Sequence, residues 1–272
     1  MDPTPDWLSI VRADQPLILS MPHSGTELAD LPAGALVSES LARRDTDWWI
    51  ERLYDFAGEL GATVLRTRVS RTVIDVNRDP EGRSLYPGQA TTELCPTTTF
   101  DGEPLYRAGA APDAAAIALR RARYYAPYHA ALAAEIGRLR ARHARLVLYD
   151  CHSIRSRIPR LFAGELPQFN IGTHGGASCA PELTAVVERS CGGEFSRITN
   201  GRFRGGYITR HYGRPGEGVH AIQMELACRG YMLEPGSPDA ASWPSPYDPS
   251  RAQPLRTVLR AILEACAAFA RR

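Results

Sequence analysis

Two histidines stand just past the ends of apolar, β-branched runs. One is in Leu17-Ile18-Leu19-Ser20-Met21-Pro22-His23-Ser24-Gly25, the other in Arg145-Leu146-Val147-Leu148-Tyr149-Asp150-Cys151-His152-Ser153. A short continuous apolar run bounded by turn signals reads as a buried strand of a parallel sheet. Ligands of open α/β sheets bind beyond the carboxyl ends of such strands. Imidazoles brought to that edge from distant strands can share one metal ion, although a lone His there more often caps a loop. A catalytic zinc takes three protein ligands and leaves a position for water, so a carboxylate or another His is required beside them. Asp45 and Asp47, in Arg43-Arg44-Asp45-Thr46-Asp47-Trp48-Trp49, stand where a helix is expected to open, and either could equally cap it.

Other residues fit the same chemistry. The stretch Ser70-Arg71-Thr72-Val73-Ile74-Asp75-Val76 leads into Asn77-Arg78, an amide donor beside a guanidinium, which suits a substrate carboxylate but also suits a surface turn. Arg202, Arg204 and His211 come from a glycine-rich run, Asn200 to Gly213, that could equally be a β-hairpin with a solvated basic face. In Val219-His220-Ala221-Ile222-Gln223-Met224-Glu225-Leu226, period-two alternation puts Gln223 and Glu225 on one face and Ile222 and Met224 on the other. A carboxylate at that strand end can take a proton from water and pass it to a leaving nitrogen; bonding to a neighbouring Arg is its bland alternative. Two His, an Asp, a Glu and several Arg on one rim are the inventory of a metal-assisted amide hydrolase acting on an acidic substrate.

The elements that must position these groups are read from apolar spacing. Strands are expected over Leu17–Met21, Thr63–Val69, Thr72–Val76, Leu146–Asp150 and Val219–Leu226. Helices are expected over Asp47–Leu60, Ala114–Arg142, Pro181–Cys191 and Pro254–Arg271. Strands alternating with helices imply an α/β fold, a three-layer sandwich on a mixed, mainly parallel sheet, and residues 1–272 read as a single domain. The Pro-, Gly- and Thr-rich segment from Asp79 to Ala111 has little periodicity and reads as a functional loop or lid. Glu234 to Ser250 reads as a linker. Cys151 is expected to point away from Asp150 and His152, into packing.

Composition narrows the function. The net charge is only +2, which gives no field for nucleic acid or an anionic membrane surface to exploit. No run of about 18 apolar residues could span a bilayer, and the N-terminus lacks a secretory pattern, so cytoplasm is the default expectation. The six cysteines show no CxxC spacing. Every basic residue is arginine, which excludes a Schiff-base lysine or a Walker-type phosphate loop within this sequence.

Taken in order, the motifs resemble the N-formylglutamate amidohydrolase family, the formylglutamate deformylases of histidine breakdown. The resemblance runs through Ser20-Met21-Pro22-His23-Ser24-Gly25-Thr26, Asp45-Thr46-Asp47-Trp48, Ser70-Arg71, Ile74-Asp75-Val76-Asn77-Arg78, Asp150-Cys151-His152-Ser153-Ile154, Asn170-Ile171-Gly172-Thr173, Asn200-Gly201-Arg202-Phe203 and the run ending at Glu225. It implies a fold like that of zinc-dependent exopeptidases and one divalent ion, zinc or zinc-like, at the strand ends. It also implies hydrolysis of a small N-acyl amino acid, N-formyl-L-glutamate, to formate and L-glutamate; the alternatives are another N-acyl amino acid or a cell-wall amide as substrate, or a non-catalytic binder of acidic ligands. His23 and His152 look like ligands, with Asp47 the third and Asp45 in reserve. Asn77-Arg78 resembles the carboxylate-holding Asn-Arg pair of carboxypeptidase-type enzymes, and Glu225 resembles their general base. Arg71 or His211 is then expected to stabilise the oxyanion, and Arg202 or Arg204 to hold a second carboxylate. One departure stands out: those peptidases use a closely spaced His-x-x-Glu pair, whereas Thr26 occupies the acid's place here and Glu27 lies one residue further on.

Overall fold

The computed structural model describes residues 4–272. Among the described residues seven strands form one sheet: β1 (Leu8–Val11), β2 (Leu17–Met21), β3 (Thr63–Thr67), β4 (Leu146–Ile154), β5 (Phe169–Gly172), β6 (Arg197–Thr199) and β7 (Val219–Ala227), in the order β1-β3-β2-β4-β7-β5-β6. The four central strands, β3, β2, β4 and β7, are mutually parallel. On the flanks, β1 runs antiparallel to β3 and β5 antiparallel to β7. The sheet is therefore mixed with a parallel centre.

Parallel strands need crossovers, and the crossovers cover both faces. The apolar runs of β2 and β4 are continuous because each successive side chain meets a packed layer. Helix α1 (Glu39–Ala42) is short. Leu17, Leu19, Val147, Tyr149 and Ile222 share a core with helices α2 (Ile50–Leu53), α5 (Pro181–Ser190) and α7 (Pro249–Ala270). On the other face, Ile18, Leu146, Leu148 and Ala221 pack with Tyr128, Leu132 and Leu139 of α4 (Ala126–Arg140) and Ile208 of α6 (Tyr207–Tyr212). Cys151 belongs to the first core, opposite to Asp150 and His152, as the alternation requires. Among the described residues no helix is long and apolar enough to cross a membrane.

Four expected elements differ, each for a physical reason. Thr72–Val76 is not a strand: Asp75 N–H donates to the Leu94 carbonyl and Val73 N–H to Ser70, so buried turns replace a ladder. The helix expected over Asp47–Leu60 is reduced to α2 and one 3₁₀ turn, Asp55–Gly58, because Trp49 enters α2 with a left-handed φ of 62°. The helix expected over Ala114–Arg142 is broken into α3 (Ala114–Arg120), a π turn at Arg121–Tyr125 and α4. Pro127 in the first turn of α4 has no N–H to give the preceding turn, which favours such a break. At the C-terminal end, α7 starts earlier than Pro254, because Asp248 accepts the N–H groups of Ser250 and Arg251 and caps it.

Candidate active site

The site lies on the α4/α6 face of the sheet, at the carboxyl ends of β2, β4 and β7. His152 is within β4 and is in register with Glu225 on β7, so their side chains emerge side by side. His23 follows β2 in a turn pressed onto the chain after β3. At Gly25 a Cβ would lie 2.3 Å from the Val69 carbonyl oxygen, so only glycine permits that approach. The His23 carbonyl accepts the N–H of Asp47 at 3.0 Å, which draws Asp47 into the same corner.

Three donors converge there. His152 Nδ1 is 3.1 Å from His23 Nδ1 and 3.1 Å from Asp47 Oδ2, and His23 Nδ1 is 3.7 Å from the same oxygen. All three residues are buried. Behind the rings, His23 Nε2 lies 2.7 Å from Asp75 Oδ1 and His152 Nε2 lies 2.9 Å from Asp150 Oδ2. A carboxylate can only accept, so an Nε2 that donates to it leaves its Nδ1 a lone pair turned towards the centre; the Asn77 amide nitrogen, 2.9 Å from His152 Nε2, shares the Asp150 carboxylate with it. Two nitrogen lone pairs and an anionic oxygen facing one another are repulsive unless a cation or a proton lies between them. Burial works against charge on His152, but Asp150 and Asp47 hold its pKa well above the ordinary 6.5. For Asp47, burial pushes the carboxyl up, yet hydrogen bonds to His152 and His23 outweigh it and keep the pKa below the usual range. The spacing suits a metal as well: bonds of about 2.0–2.1 Å in a tetrahedron set donors about 3.3 Å apart. His23, Asp47 and His152 could therefore hold a metal ion.

Asp45 does not join them. Its Oδ2 accepts the Phe100 N–H at 2.7 Å, its Oδ1 is buried without a hydrogen-bond partner, and burial pushes its carboxyl up to about 6 against the pull of Arg155. Neither aspartate caps α2: its N-cap is Trp49, with no side-chain cap.

Arg71 donates to Asp75 at 2.7 Å and lies 3.7 Å from Asp47, its guanidinium over the Phe100 ring. Asn77 is built into the frame. Its Nδ2 donates to Asp150 at 3.0 Å and its Oδ1 accepts the Ile208 N–H at 2.8 Å. Arg78 and Arg202 line the mouth of the pocket above the cluster, with Tyr86, Thr91, Thr92 and Phe100 supplied by the irregular 79–111 segment. Arg78 is steadied by Thr92, and Arg202 by the Leu161 and Ala90 carbonyls. Glu225 forms part of the pocket wall, where burial raises its pKa to about 8, with His152 pulling it down and Asp47 pushing it up.

Two expected residues are not brought to the pocket. The Asn200–Gly213 run is no hairpin, because its second half is the helix α6. His211 lies on the solvent side of α6, stacked on Tyr207 at 4.8 Å, while Ile208 and Thr209 face inward. The Arg204 side chain is exposed, and only its backbone N–H, bonded to Tyr86 Oη, contributes near the site. Sequence reasoning assigned no role to Asp75, Asp150 or Gln223. For Asp150 and Gln223 a signal exists: each sits two residues before a site residue on the same strand face. Asp75 acts from a loop, where no periodicity marks it.

Comparison with known proteins bears on this arrangement. The model of a family described as N-formylglutamate amidohydrolase matches residues 15–232. The chain is 47% identical over 266 residues to an N-formylglutamate deformylase of Pseudomonas aeruginosa, covering 97% of each. It is 45% identical over 268 residues to one of Pseudomonas putida, covering 96% of each. The fold superposes on a crystal structure of an N-formylglutamate amidohydrolase from Ralstonia eutropha JMP134 with a TM-score of 0.77 at 24% identity, over 97% of this chain and 98% of that one. It also superposes on a gene product of Agrobacterium tumefaciens with a TM-score of 0.71 at 16% identity, over 98% and 97%. With matches that span the strands, the His-Asp-His corner and the Glu225 strand end alike, this chain belongs to the N-formylglutamate amidohydrolase family.

Proposed function

We propose that this protein hydrolyses N-formyl-L-glutamate to L-glutamate and formate, with a divalent ion, zinc by the nature of the donors, held by His23, Asp47 and His152. The observation that carries the reading is the convergence of two Nδ1 atoms and one carboxylate oxygen beneath a pocket walled by Glu225 and three arginines, Arg71, Arg78 and Arg202. The substrate comes from the name its curated relatives bear, N-formylglutamate deformylase, and histidine breakdown is the setting that reading carries with it. When bound, such an ion supplies Lewis acidity, making water acidic enough to attack near neutral pH and drawing charge from a carbonyl oxygen.

The protein's own groups do the rest. Glu225 takes a proton from the attacking water and returns it to the departing amine as the C–N bond breaks, leaving formate and the free amino acid. Burial of that carboxylate keeps it basic enough to accept a proton. Arg71, which lines the pocket, faces the oxyanion that develops on the formyl oxygen, since His211 lies outside the pocket. The substrate's two carboxylates go to Arg78 and Arg202. Arg78 has its nearest carboxylate, Asp75, at 3.7 Å, and Arg202 has none within 4.0 Å among the described residues. A guanidinium without a carboxylate partner beside one whose carboxylate stands 3.7 Å away, both at the pocket mouth, suits a dianion.

The test is formate release from N-formyl-L-glutamate, before and after chelation and after zinc is restored, with N-formylaspartate and N-acetylglutamate as competitors. Loss on chelation, recovery with zinc and preference for N-formylglutamate are expected. Full activity in the chelated protein overturns the metal assignment, and preference for either competitor overturns the substrate.

A further inference from the structure

We infer that Gln223 is a positioning residue that aims the Glu225 carboxylate, resting on the reading of Glu225 as the general base. The two are i and i+2 on β7, so their side chains project from the same face, and both are buried on the pocket wall. A carboxamide has two ends, and which is oxygen must be decided from its partners. Here the decision is clear. The Gly206 N–H points at one end of the Gln223 amide at 2.7 Å, and an N–H donates, so that end is the oxygen. The other end is therefore NH₂, and it lies 3.3 Å from Glu225 Oε2, which accepts from it. No other hydrogen-bond donor reaches that carboxylate among the described residues.

The anchor is itself fixed. Gly206 precedes α6, and a Cβ there would lie 2.5 Å from the Asn77 amide, so glycine alone lets its backbone sit this close. Tyr207 N–H donates to the Asn77 carbonyl and Ile208 N–H to the Asn77 side chain, tying the start of α6 to the frame that also holds Asp150 and His152. Gln223 thus spans from that frame to Glu225. Freed from it, a carboxylate on a flexible side chain would sample rotamers that aim elsewhere, and small misplacements of a reacting group cost up to about 100-fold in rate.

A double-mutant cycle on the zinc-loaded enzyme tests this. Gln223→Met keeps the length and removes both polar ends. It should lower kcat about 10- to 100-fold with KM changed less than about 3-fold, since it disorders the base and leaves substrate contacts alone. In a Glu225→Gln background, Gln223→Met should cost less than about 2-fold, because nothing is left to aim. Gln223→Asn, which keeps an amide but is too short to reach both Gly206 and Glu225, should show the same pattern and serves if the Met variant does not fold. Zinc content and Tm, measured on each, should stay near the parent. The inference is overturned if the Gln223 change costs as much in the Glu225→Gln background as in the parent, or if it raises KM with kcat unchanged. If Glu225→Gln itself retains full activity, the base assignment fails instead, a separate outcome of the same cycle.

Discussion

Asp150→Asn isolates one charge behind one ligand. Asp150 Oδ2 accepts from both His152 Nε2 at 2.9 Å and Asn77 Nδ2 at 3.0 Å, and no arginine pairs with it within 4.0 Å. Its Oδ1 is buried with no hydrogen-bond partner. In the variant, the carbonyl oxygen must take the place of Oδ2, since only an acceptor satisfies both donors, and the NH₂ falls where Oδ1 was. Volume, rotamer and the His152 tautomer are preserved; the new NH₂ is buried without a partner, which costs folding stability with or without zinc, so what changes for zinc binding is the charge on the acceptor. Hydrogen bonds to charged groups contribute about 1.5–3 kcal/mol and neutral ones about 0.5–1.5. The difference, about 1–1.5 kcal/mol, weakens zinc binding about 5- to 13-fold. Asp150→Ala should do worse, about 100-fold, because it leaves both donors unpaired and the ring free to turn. Competition between the metal-free protein and a chromophoric chelator reads these affinities directly. An Asp150→Asn affinity within twofold of the parent would refute the argument that this carboxylate holds the His152 lone pair on the ion.

Zinc binding should strengthen with pH, about 10-fold per unit while the corner still carries its proton, because the ion must displace the proton that the raised pKa of His152 retains; titrations at several pH values give the slope. In the metal-free protein the sign for folding is opposite. A raised folded-state pKa contributes stability that is complete below the unfolded value, 6.5, and is lost as pH rises through the folded one. The chelated protein should therefore lose Tm above that value while the zinc-loaded protein does not, which parallel melts would show. Arg78→Ala should raise KM about 10- to 150-fold, the worth of one charge-assisted contact, with zinc content unchanged; loss of zinc instead would place Arg78 in support of Asp75. His211→Ala should leave kcat/KM within about twofold, since a change away from buried features acts weakly, and a large loss in steady-state assays would contradict its place outside the pocket.

Sequence alone determined what neighbouring residues decide together. The apolar runs ending at His23 and His152, the alternation that sends Cys151 to one core and His152 to the site, the pairing of Gln223 with Glu225 on one face, and the start of α5 at Pro181 all follow from local period and turn chemistry. Tertiary structure decided what depends on partners far along the chain. Asp45 and Asp47 have the same type and nearly the same place, and only the long-range bond from the Asp47 N–H to the His23 carbonyl sends one to the corner and leaves the other to Phe100. Thr72–Val76 has the composition of a strand, but N–H groups within it go to the Leu94 and Ser70 carbonyls, so it forms the turns that carry Asp75 behind His23. His211 left the site because Gly206 opened a helix against Asn77 rather than a hairpin.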